Sequence, residues 1–108
     1  MEKEKLFEDK IKKFLKELPN TWFFKHWAGA YSQSGIPDIM ACVNGHFVGI
    51  EVKAEDGHPS PLQIRNIDLI LKSRGHAYIL YPKDFEAFKT DMMGLLDTSK
   101  IKQMKKEQ

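Results

Sequence analysis

The sequence predicts a mixed α/β fold, a four-stranded mixed sheet flanked by helices. Three observations carry this. Apolar residues recur at helical spacing near the N-terminus and again after residue 60. Short aromatic and β-branched runs lie between and after those helical stretches. An Asn-Gly pair at 44–45 joins two of the runs at hairpin distance.

Each element follows from its residues. Residues 4–18 place Phe7, Ile11, Phe14, Leu15 and Leu18 on one helix face, and Pro19-Asn20 stops the helix. The aromatic run 22–27 reads as a first strand, followed by a loop through Gly35. Residues 36–43 and 46–53 read as an antiparallel pair around Asn44-Gly45, whose two central positions need φ > 0. A second helix opens at Ser60, a capping residue, with Pro61 at the first helical position and Gly75 as the stop. Its expected apolar stripe is Ile64, Ile67, Ile70 and Leu71. Residues 76–81 form a fourth strand, parallel to the third through a crossover. A last helix runs over about 84–93. Residues 1–98 are read as one domain and 99–108 as a basic, flexible tail.

Composition bounds the function. With 108 residues, 42% apolar and 30% charged, the chain is one globular domain's worth. It has no apolar run long enough to span a bilayer and no signal-peptide core at its start, so a cytoplasmic protein without a membrane partner is expected. Cys42 is the single cysteine; it excludes an intrachain disulfide and reads as a buried, inert thiol in the run Ile39–Val43. The formal charge of +2 neither requires nor excludes nucleic acid. Lysines gather at 10, 12, 13 and 16 and again at 100, 102, 105 and 106, as a phosphate-binding surface or as solvated segments. His26, His46, His58 and His76 have no metal-ligand spacing. The aromatic pairs at 22–23 and at 24 and 27 read as core and sheet packing, with base-stacking platforms as the alternative.

The chemistry sits at one end of the meander. Alternation puts Val48, Ile50 and Val52 on one face of the third strand, and Glu51 and Lys53 on the other. A carboxylate and an amine there could be no more than an exposed ion pair. The hairpin argues for more. Val43 faces His46 across the turn, and five residues further out on each strand Asp38 faces Glu51. Opposed residues of an antiparallel pair share a face about 5 Å apart. Two carboxylates at that spacing repel unless a proton or cation lies between them. Oxygen-only ligands beside a lysine suit a hard divalent cation, Mg²⁺ or Mn²⁺.

Gly35-Ile36-Pro37-Asp38 followed by Glu51-Val52-Lys53 resembles the PD-(D/E)XK nuclease superfamily. With Ser34 before it and Ser60-Pro61-Leu62-Gln63 after it, the run is similar to the stand-alone VRR-NUC domains of phages and bacteria. The resemblance covers residues 8 to about 81. It implies the restriction-endonuclease-like αβββαβ core and a metal-dependent endodeoxyribonuclease. Asp38 and Glu51 would bind the metal with the main-chain carbonyl of Val52. Lys53 would orient or deprotonate the attacking water and steady the phosphate charge. Glu8 would be the first-helix acid, with Glu4 the fallback and an ordinary exposed glutamate the alternative. Gln63 matches the glutamine after the catalytic strand. It equally completes a capping box with Ser60, two tasks read here as exclusive at any one moment. Lys25 would meet a phosphate or else face solvent. Ser32 and Ser34 would contact phosphate oxygens or only shape the loop.

The expected activity is structure-selective DNA hydrolysis by a homodimer in a bacterial or phage-infected cell, with four-way (Holliday) junctions as the favoured substrate. Flap cleavage, general nicking and a non-catalytic DNA-binding module on the same fold are the alternatives.

Overall fold

The computed structural model describes residues 2–27 and 34–96. The elements are α1 (Glu2–Glu17), β1 (Thr21–Lys25), β2 (Ile39–Val43), β3 (His46–Val52), α2 (Pro61–Lys72), β4 (His76–Leu80), a 3₁₀ turn at Pro82–Asp84 and α3 (Phe85–Leu95). They form a mixed α/β fold with strand order β1-β2-β3-β4. The first two pairings are antiparallel and β3–β4 is parallel, as the crossover requires. The basic tail and Ser32 lie outside the described residues.

One face of the sheet carries the core. Ile39, Ala41 and Val43 from β2 and Val48, Ile50 and Val52 from β3 point to it at alternate positions. Phe7, Ile11 and Leu15 of α1 and Phe88 and Met92 of α3 close over them. Phe14, Phe85 and Phe88 add edge-on ring contacts at the rim.

The Asn44-Gly45 turn has φ of 50° and 86°, the doubly left-handed conformation that a two-residue hairpin demands. It fixes the β2–β3 register, in which Ile39 faces Ile50 and Val43 faces His46.

Four expectations change. The second strand begins at Ile39 rather than 36, and Asp38 sits in a bend just before it. Pro37 has no N–H for a ladder, and the Asp38 carboxylate takes the β3 amide that the ladder would have used. The end of α2 is a Schellman motif in which Arg74, at φ 70°, is the left-handed residue. The Gly75 N–H bonds Ile70 C=O at 2.9 Å. Gly75 serves instead by its size, since a Cβ there would lie 2.9 Å from Ile70 Cγ2. Of the expected α2 stripe only Ile67 is buried; Ile64 and Leu71 face out, because α2 covers only the β3–β4 half of its side of the sheet. Cys42 is exposed, not buried, because it alternates with the inward Ala41 and Val43 and nothing described lies over it.

Candidate functional site

The carboxylates converge where β2 begins and β3 ends. Successive amides of a strand point to opposite edges. The Lys53 N–H goes to Leu80 C=O on β4, so the Val52 N–H faces β2, and Asp38 Oδ2 accepts it at 2.8 Å. The Asp38 C=O accepts the His26 N–H at 2.7 Å, which ties β1 to the same bend. Asp38 is thus held from both sides by main chain, directly after the last β2–β3 pair, Ile39 and Ile50.

Glu51 is 2% exposed. Its Oε2 accepts the Gln63 Nε2–H at 2.8 Å and lies 3.5 Å from Lys53 Nζ. Its Oε1 is buried and has no hydrogen-bond partner among the described residues. Burial, and then the charge on Asp38, push the Glu51 carboxyl up from 4.5 to about 7, against the opposing pull of Lys53. A buried carboxylate oxygen without a partner, facing a second carboxylate, has the chemistry of a cation ligand.

Gln63 does two things at once. Its Oε1 accepts the Ser60 N–H at 2.8 Å, completing a capping box with Ser60 Oγ, while Nε2 donates to Glu51. Contrary to the expectation, the two tasks are not exclusive, because the two ends of a carboxamide are independent groups. The first turn of α2 is therefore clamped directly onto Glu51.

Glu8 is buried on the inner side of α1. It binds Lys25 Nζ at 2.5 Å, and Lys12 lies 3.5 Å from its other oxygen. Lys25 Nζ is also 3.8 Å from Asp38 Oδ1, with the Trp27 ring 5.5 Å away. Lys25 is therefore an internal cation joining Glu8 to Asp38, not a solvent-facing strand lysine. Strand alternation gives the face of Lys25 but not its partners, so its role as a counter-charge shows only in the structure.

The other candidates are more distant. Ser34 is exposed in the turn that carries Gly35. Gly35 has φ 82°, and a Cβ on it would lie 2.8 Å from Leu62. The loop before Asp38 is thus pressed against the start of α2. Trp22, Phe24 and Trp27 are exposed, contrary to the packing reading; of the four aromatics in this run only Phe23 packs against the core.

A cation between Asp38 and Glu51 would have two side-chain ligands. Among the described residues no three His, Cys, Asp or Glu side chains cluster as a ligand set. Asp38 and Glu51 would need a main-chain oxygen such as that of Val52, and water, to complete a shell. Glu8 is engaged by Lys25 and does not join them.

No protein-family model matches the chain, and no curated protein matches it.

Proposed function

We propose that this chain is a divalent-cation-dependent DNA endonuclease with a PD-(D/E)XK-type core, and that Asp38, Glu51 and Lys53 are its reactive centre. The observation that carries the reading is the Asp38–Glu51 pair: one carboxylate in the bend before β2 and one on β3, an oxygen of the buried member unpartnered, a lysine beside them. A binding module has no use for a repulsive pair with one member buried.

When bound, a divalent cation supplies charge neutralisation at the phosphate and makes water a better nucleophile. Asp38, Glu51 and the Val52 carbonyl are the groups that would hold it. Lys53 Nζ orients the attacking water and balances charge on the phosphate oxygens. Gln63 fixes the Glu51 rotamer through the capped end of α2. Lys25, pinned by Glu8, holds Asp38 in place. The expected products carry a 5′-phosphate and a 3′-hydroxyl.

The exposed lysines of α1 (Lys10, Lys13 and Lys16) suit phosphates rather than base edges, so branched DNA bound through its backbone is the preferred substrate. Four-way junctions cut by a homodimer are the specific form of the proposal; resolving one takes two nicks related by a two-fold axis. Flap or general nicking is the second enzymatic form.

The deciding experiment is cleavage of junction, flap, duplex and single-stranded DNAs with Mg²⁺ and with Mn²⁺. Metal-dependent nicking that disappears in Asp38→Ala supports the reading. Binding without cleavage of any substrate makes the chain a DNA-binding module instead. Lys53→Ala should cut poorly yet keep Mn²⁺ binding by calorimetry, since an ammonium is not a ligand. Lost metal binding with an intact fold would contradict the role given to Lys53.

A further inference from the structure

The face of the sheet opposite the core is only half covered. α2 packs over the β3–β4 half, close enough that a Cβ on Gly49 would lie 3.0 Å from Ile70 Cδ1. Over β1 and β2 nothing described lies. The register aligns two cross-strand rows there: Trp22, Cys42 and Phe47, then Phe24, Met40 and Gly49. Neither row holds a charge. Trp22 is 66% exposed, and Phe24 and Phe47 are 43% and 46% exposed. Trp22 and Phe24 stack obliquely, with centroids 5.5 Å apart. The patch continues without a break onto the flank of α2, because Phe47 and Leu69 line one cleft of about 260 Å³. Leu62, one heptad before Leu69, extends the same flank and is half exposed.

We infer that this uncovered half-face, centred on Trp22, Cys42 and Phe47, is where a second copy of the chain docks. The inference takes the two-fold partner from the reading above and gives it a surface. Area argues for a protein partner. An aromatic side chain offers roughly 150–250 Å² in full, so the exposed parts of these three aromatics and of Leu62 and Leu69 amount to roughly 500–600 Å² per protomer. That is the top of the range for the largest apolar patch on a monomer, about 300–600 Å². It is also close to the lower limit of what each side of a stable dimer buries, about 600 Å². Charge argues against a nucleic-acid strand as the occupant, since the rows contain no lysine or arginine to meet phosphates. A flat sheet step beside a helix flank can pair with its own copy, as an isologous interface requires. The expected dimer is modest, with a micromolar dissociation constant.

The test is sedimentation velocity on the full chain over a hundredfold concentration range. Trp22→Glu and Phe24→Glu are compared with a control, Leu6→Glu, at an exposed apolar position on α1. These side chains are exposed, so circular dichroism should show the fold intact in all three. Wild type and Leu6→Glu should dimerise alike, and both sheet variants should weaken the dimer at least tenfold. A short bis-maleimide should link Cys42 to Cys42 of the second copy in the wild type but not in Trp22→Glu. A chain that is monomeric throughout overturns the inference, as does a dimer unchanged in both sheet variants. A monomer whose single-stranded oligonucleotide binding is lost in Trp22→Glu overturns it in favour of a stacking platform. Nicking assays on the same samples separate the two readings. A monomer that nicks removes the surface and keeps the nuclease; a Trp22-dependent dimer that never nicks does the reverse.

Discussion

The two faces of the sheet are built to opposite rules. The face under α1 and α3 is closed: Ile11, Ile39, Ile50, Val52, Phe88 and Met92 are all 0–1% exposed and carry no polar atom beyond the backbone. The face under α2 is half bare, and at its end it buries a carboxylate with an unpartnered oxygen. Same strands, same residues apart by one position: the closed face holds the fold, and the open face accepts unfavourable charge because the closed one can support it. Unsatisfied polar groups and strained electrostatics gather at sites for this reason.

That contrast can be broken most sharply at Glu51. Glu51→Gln should lower cleavage at least about a hundredfold, the scale of losing one preorganised electrostatic group. It should leave the fold unchanged or more resistant to urea, because a buried charge has gone. Near-wild-type turnover would show that the site is misassigned. On the closed face the pattern reverses. Phe88→Ala should cost about 3–5 kcal/mol of stability, read as a shifted urea midpoint, by leaving a cavity among well-packed rings. Any activity loss there should follow only the unfolded fraction.

A pH series sharpens the comparison further. The Glu51 carboxyl titrates near 7 in the folded chain against an ordinary 4.5. Below 4.5 it is protonated folded or unfolded. As pH rises from 4.5 to about 7 the unfolded chain gives up this proton and the folded chain keeps it, so stability is lost across that window. Without divalent metal, the melting temperature should therefore fall by several degrees between about pH 5 and about pH 8. The Glu51-dependent part of the fall should vanish in Glu51→Gln. Millimolar Mn²⁺ should restore the wild type at the alkaline end, since it binds only the native site. A fall of the same size in both proteins would place the titrating group elsewhere.

The smallest effect is expected at Ser60. Ser60→Ala removes one member of the capping box, about 1 kcal/mol by its helix cap. Because Gln63 also grips Glu51, the variant should lose more activity than that stability loss explains. Ser60→Thr, which keeps the cap oxygen, should recover both. Activity that merely tracks stability would confine Ser60 to the helix.

Much of this contrast is written in the chain. Alternation in residues 46–53 separates the Val48, Ile50 and Val52 row from Glu51 and Lys53, and the Asn44-Gly45 turn fixes a register that runs to Ile39 and Ile50, the residues next to Asp38 and Glu51. Periodicity fails where it has to say what lies across from a face. Ile64, Leu71 and Cys42 are apolar at the right spacing and are still exposed, because spacing tells which residues share a side and not whether a neighbour covers it. The Lys25 ion pairs with Glu8 and Asp38 join residues 17 and 13 positions apart in sequence. No local rule reaches that far. The double duty of Gln63 was visible as two competing motifs, and only geometry shows that they do not compete.

The Asn44-Gly45 turn also works as a ruler. It lies at the far end of the sheet from the site, yet the count of residues on either side of it decides which side chain meets Glu51. One residue added to β2 alone would put Ile39 where Asp38 stands and turn the carboxylate to the opposite face. Equal additions to both strands would preserve the pairing and only lengthen the sheet. At Gly45 the turn has room, since a Cβ there would meet nothing within 4 Å, and the demand at that position is on φ. For this hairpin, a substitution at the tip costs local strain, because both positions are left-handed, or the bond from Asn44 Nδ2 to the Leu95 C=O, whereas a single-residue change of length moves the pairing itself, although the tip lies far from both carboxylates.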